Sequence, residues 1–154
     1  MCKKIVRKIQ LALVFLPLLF ATGCAETEIE KMNREFDEFV AEYEQKVIPL
    51  QEKYNNAAYE AAASGDEAEY QRATEFRIML GKIHSNKENF AKLKRIKDSK
   101  LITDSLLSRE LDIIYNLYLP NQIDETTLVD IITLDNEVKR KFNTFRPKIG
   151  DIRF

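Results

Sequence analysis

His84 is the sole histidine of the 154-residue chain, and Glu88 lies four positions on. On a helix the two would share a face, the minimum from which a metal site can be built. No cysteine and no second imidazole accompanies them, and His84 sits at a predicted helix boundary, so the pair reads as structural and no metal ligand is assigned. Acid/base chemistry has no better candidates. Glu42 with Glu44, and Glu67 with Glu69, are two apart and point to different sides of a helix. No glycine-rich phosphate loop and no nucleophile elbow occurs, so no catalytic residue is assigned. Phe36, Phe39, Tyr43, Tyr54, Tyr59, Tyr70 and Phe76 could line a peptide groove, but their helical spacing reads as core. Lys87, Lys92, Lys94, Arg95, Lys97 and Lys100 could meet anionic headgroups, and read as a solvated helix face.

The remaining chemistry is that of a thiol. Lys3, Lys4, Arg7 and Lys8 precede an apolar run from Leu11 to Phe20, and Ala21-Thr22-Gly23 leads to Cys24. That is the layout of a secretory leader. With a cysteine after the cleavage point the leader resembles a bacterial lipoprotein signal, which implies that Cys24 would be acylated and residues 1–23 removed, leaving 24–34 as a tether. A plain signal peptide or a spanning helix is the alternative, although the apolar run is shorter than the ~20 residues a span requires. Each buried methylene adds ~0.8 kcal/mol, so several acyl chains on one cysteine hold a protein in the bilayer. The expected location is extracytoplasmic, lipid-anchored, at a bacterial cell envelope.

From Cys24 onward 131 residues remain, enough for one core. Four of the 24 basic residues and none of the 25 acidic ones precede Cys24, which leaves a net charge of −5, 20 against 25. That balance, without a basic stripe, excludes nucleic acid as the expected partner. Cys2 leaves with the leader and Cys24 carries lipid, so no disulfide is available and packing must supply stability.

The elements that would position these groups are all helical. Apolar residues recur at helical spacing from Ile29 through Met32, Phe36, Phe39, Tyr43, Val47 and Tyr54, predicting a long first helix over 28–63 with a kink or short break near Lys46 caused by Pro49. Gly65 suits a left-handed terminus and Asp66 a cap, opening a second helix over 67–83 with Tyr70, Ala73, Phe76 and Leu80 inward. Ser85 to Glu88 reads as a capping box before a third helix over 87–97, with Phe90, Leu93 and Ile96 as its stripe. Asp104 caps a fourth over 105–119, stopped by Pro120. Asp124 caps a fifth over 125–144 carrying Leu128, Ile131, Ile132, Leu134, Val138 and Phe142. The fold class is all-α, five helices in a bundle. Residues 147–154 leave the last helix at Pro147, turn at Gly150-Asp151 and read as a truncated tail.

The helices carry a resemblance. Phe39-Val40-Ala41-Glu42-Tyr43-Glu44, then Tyr54 to Ala61, resemble the opening helix of the angiotensin-converting-enzyme family of zinc peptidyl-dipeptidases. Asp130 to Glu137 and Lys141-Phe142-Asn143-Thr144-Phe145-Arg146 are similar to a later helix of bacterial members that ends near N-T-F-R. The similarity covers 35–146 and consists of packing positions.

The resemblance implies that 35–146 form a helical lid over a cleft in which zinc removes dipeptides from the carboxyl end of oligopeptides. In that family zinc is held by H-E-x-x-H and a downstream Glu, with the motif's Glu activating water. One histidine cannot make that motif. This chain alone is therefore expected to be inactive, with zinc belonging to the complete family enzyme and the partners being the bilayer, an oligopeptide and a missing catalytic segment. Such a lid, separated from its enzyme, should expose the faces bearing Phe36, Phe76 or Phe142. A non-catalytic helical envelope lipoprotein that binds a protein partner is the alternative.

Overall fold

A computed structural model describes residues 26–150, 152 and 153; the leader and Cys24 lie outside the described residues. The architecture is all-α: α1 (Glu28–Ser64), α2 (Glu67–His84), α3 (Lys87–Ser99), α4 (Ser105–Tyr118) and α5 (Glu125–Thr144), with a 3-10 turn over Leu119–Asn121. After α5 a two-residue antiparallel ladder, Lys148–Ile149 against Ile152–Arg153, forms a small addition to the helices. Gly150 takes φ of 64° between the two strands.

Short polar side chains set the helix starts. Asp66, Asp104 and Asp124 each accept from backbone N–H groups of the following turn, satisfying donors that have no intrahelical partner. The cap of α3 differs from the expected box: Asn86 accepts from Asn89 N, while the Ser85 hydroxyl donates back to Lys82 O at the end of α2. Asparagine at this position already matches the N-terminal donors, so Glu88 is not recruited. A capping box does occur at Thr27, whose hydroxyl accepts from Glu30 N while Glu30 accepts from Thr27 N. That box starts α1 at Glu28, the expected start of the first helix.

The expected break near Lys46 is absent: α1 is helical without interruption through Pro49. Proline leaves the Gln45 carbonyl without its donor, but Gln45 and Pro49 are both solvent-exposed, so water can serve that oxygen. Buried Val47 and Ala57 hold the helix down on either side. At 37 residues α1 is about 55 Å long, and this length lets it serve two cores.

Its first half carries Phe36 and Phe39, which pack with Leu93 and Ile96 of α3 and with Ile102, Leu111, Ile114 and Tyr118 around α4. Phe36 is 0 % exposed, contrary to the exposed face expected for it. The N-terminal half of α1 finds its apolar partners within this chain. From Tyr43 onward α1 pairs antiparallel with α2: Tyr43 meets His84, and Arg77 lies over the Tyr54 ring. Helix α5 then lies on α2, where Gly81 permits close approach. A Cβ there would stand 3.0 Å from Ile132 Cδ1 and 3.3 Å from Leu128 Cδ2. Two cross-helix hydrogen bonds fix this seam, Asn136 Nδ2 to Thr74 Oγ1 at 2.7 Å and Asn143 Nδ2 to Tyr70 Oη at 3.0 Å.

Candidate functional site

Where the two cores meet, α1, α2 and α4 bring one imidazole and two phenols together. Tyr43 Oη and His84 Nε2 lie 3.0 Å apart, and the His84 ring stands edge-on to Tyr118 with centroids 5.3 Å apart. Tyr43 and Tyr118 are themselves 6.1 Å apart. His84 closes the last turn of α2 and is 8 % exposed. Burial, and then the nearby Arg77 charge, lower its pKa to about 4. Burial, and then Tyr118, push the Tyr43 phenol up to about 12, and Tyr118 is raised by burial as well. At neutral pH all three groups are uncharged, so one proton serves the Tyr43–His84 contact.

Such a cluster is poorly matched to catalysis. A base whose conjugate acid has a pKa near 4 abstracts protons weakly at pH 7, and a phenol near 12 does not supply a nucleophile. Glu88 is exposed on the first turn of α3 and is no ligand partner of the buried ring. Among the described residues no three His, Cys, Asp or Glu side chains converge as a metal site would require.

Tyr43 and His84 form one wall of a cleft of about 520 Å³ between α1, α2, α4, the 3-10 turn and α5. Aliphatic side chains make the floor, among them Val47, Leu80, Leu128 and Ile132, with Gln51, Arg77, Asn116 and Asn121 as polar lining. Gln122 secures the cleft from behind. Its Nε2 donates to His84 O at 2.9 Å and Tyr118 O at 3.1 Å, satisfying carbonyls at the ends of α2 and α4. The sequence gives no signal for Arg77, Gln51 or Gln122, because only the tertiary fold brings them here.

The other candidates separate. Phe36, Phe39 and Tyr70 are buried, Tyr43, Tyr54 and Phe76 half-buried, and Tyr59 is 72 % exposed. They form no continuous groove. On the basic segment of α3, Arg95 and Lys92 meet Glu35, Lys94 meets Asp98, and Lys97 meets Asp112, so acidic neighbours occupy most of its charges.

The outer face of α5 contrasts with all of this. Ile131, Leu134, Val138 and Phe142 repeat at helical spacing and are each more than half exposed, Phe142 at 82 %, with Phe145 continuing the line past the helix end. No described helix is long and apolar enough to cross a membrane. Comparison with known proteins gives no matching family model, no matching curated protein and no matching solved structure.

Proposed function

We propose that this chain is the lid segment of a membrane-anchored zinc peptidyl-dipeptidase, gating oligopeptide access to a zinc site supplied by other residues and catalytically silent by itself. The outer face of α5 carries the reading. Monomeric proteins rarely leave an apolar row of this length in water, and this one includes Phe142 and Phe145 of the K-F-N-T-F-R segment that resembles the family. Acylation at Cys24 would hold the lid, and whatever it covers, at the bacterial envelope.

Sequencing the DNA beyond the codon for Phe154 tests this. The expected result is an H-E-x-x-H coding segment, in frame or displaced by a frameshift; a downstream region with no such segment removes the reading. The finished core around Phe36 favours a second reading, a self-sufficient helical lipoprotein that binds a protein partner through α5. On that reading no zinc-binding polypeptide is involved, and the mature chain would melt cooperatively as a monomer.

A further inference from the structure

The cleft between α1, α2, α4, the 3-10 turn and α5 differs in charge from four other concavities. Acidic residues number 25 in the chain, yet none of the side chains lining this cleft is a carboxylate. Each of four other concavities on the surface includes at least one Asp or Glu among its walls. Arg77 is the one side chain in the cleft that is charged at neutral pH, and it has no ion pair among the described residues. Arg77 is solvent-exposed, and its guanidinium stands 5.8 Å from the ring centroid of Tyr54 on α1. Much of the remaining lining is aliphatic, with buried Leu80, Leu128 and Ile132 and the half-exposed Ile131, the first residue of the α5 outer row.

One cation at the rim and a branched aliphatic floor without acid describe the complement of an amphiphilic anion. We propose that this cleft binds an aliphatic monocarboxylate, with the carboxylate on Arg77 and the alkyl chain along the α2–α5 floor. The volume falls within the roughly 300–1,000 Å³ usual for small-molecule pockets. A guanidinium takes a carboxylate through two parallel N–H donors, which fixes the polar end. The Arg77 charge is felt inside, since after burial it is the next cause of the lowered His84 basicity. The site does not rest on the lid reading: of the α5 outer row it uses only Ile131, at the edge of the cleft, and leaves Leu134, Val138 and Phe142 outside.

Because His84 is the only histidine, its ring proton resonances give a single reporter inside the cleft. The full 154-residue chain is titrated with octanoate, octan-1-ol and N-acetyl-leucyl-leucine while those resonances are followed by NMR. Octanoate should shift them saturably and raise the His84 titration midpoint, as the bound carboxylate offsets Arg77. Octan-1-ol should bind at least tenfold more weakly. Arg77→Gln should lower octanoate affinity to that of the alcohol and leave the alcohol's unchanged, and Arg77→Lys should restore part of the difference. Equal affinity for octanoate and the alcohol, octanoate affinity unaffected by Arg77→Gln, or tighter binding of the blocked dipeptide than of octanoate would each overturn the assignment.

Discussion

The two ends of the bundle use the same kind of apolar helix and treat it in opposite ways. At one end Phe36 and Phe39 of α1 are enclosed by Leu93, Ile96, Leu111 and Tyr118. At the other, α5 buries Leu128 and Ile132 against α2 but leaves Ile131, Leu134, Val138 and Phe142 in water. Helix α5 is apolar on two sides, and this chain covers one of them. The difference separates apolar side chains that this chain encloses from ones that it leaves exposed.

The sharpest way to break the contrast is to damage the closed end. Phe36→Ala removes a fully buried ring and should cost about 3–5 kcal/mol, read as a fall in the urea midpoint. A loss below about 1 kcal/mol would mean that this end is not a packed core.

The junction between the ends responds to pH. His84 has a pKa of about 4 in the fold against 6.5 for the ordinary side chain, so between those values the unfolded chain takes up the proton more readily. Stability is then complete above about pH 6.5 and falls as pH drops towards 4, by about 3 kcal/mol at most. The difference between wild type and His84→Phe across that window isolates this effect from carboxylate titration. Parallel stability curves for the two would show that the ring is not held neutral by the fold.

A smaller effect is expected at the α1–α2 hinge. Gly65 has φ of 74°, a conformation that an L side chain adopts at a cost. Gly65→Ala should destabilise by about 1 kcal/mol. Its Cβ would be 3.4 Å from Thr144 Cγ2, an ordinary contact, so the effect should come from the backbone. Gly65→Asn should lose less, since asparagine tolerates the left-handed region.

The smallest effect belongs to the open face. Val138→Lys with Phe142→Lys should change the melting free energy by no more than about 0.5 kcal/mol while making the chain more soluble. A large loss of stability would show that these side chains are covered by this chain's own residues in solution.

The contrast also marks how far sequence reasoning reaches. Asp66, Asp104 and Asp124 identify three helix starts because a carboxylate before an amphipathic run satisfies local donors, and the expected bounds of α5 coincide with those found. Local chemistry is legible because it depends on neighbours in the chain. At Pro49 the expected break does not occur, for the opposite reason: whether the helix continues depends on whether water reaches the Gln45 carbonyl, which tertiary structure decides. For α5, Leu128 and Ile132 cannot be told from Leu134 and Val138 by periodicity, since both sets repeat at helical spacing. Which set is buried depends on Gly81 and Thr74 of another helix. The cleft is the least legible feature, because Arg77, Gln51 and Asn121 come from three separate elements and no spacing rule links them. The proposed family resemblance rests on packing segments alone, and with one histidine the chain cannot write that family's zinc motif.

The claim that α5 presents a face meant for another polypeptide is tested most directly by sedimentation velocity on the chain from Ala25 onward, over a wide concentration range. An available face should give reversible self-association that grows with concentration and is abolished by Val138→Lys with Phe142→Lys without change in melting. A wild-type chain that sediments as a monomer at every concentration would contradict the lid reading, in which the face is left uncovered, and leave the self-sufficient partner-binding lipoprotein.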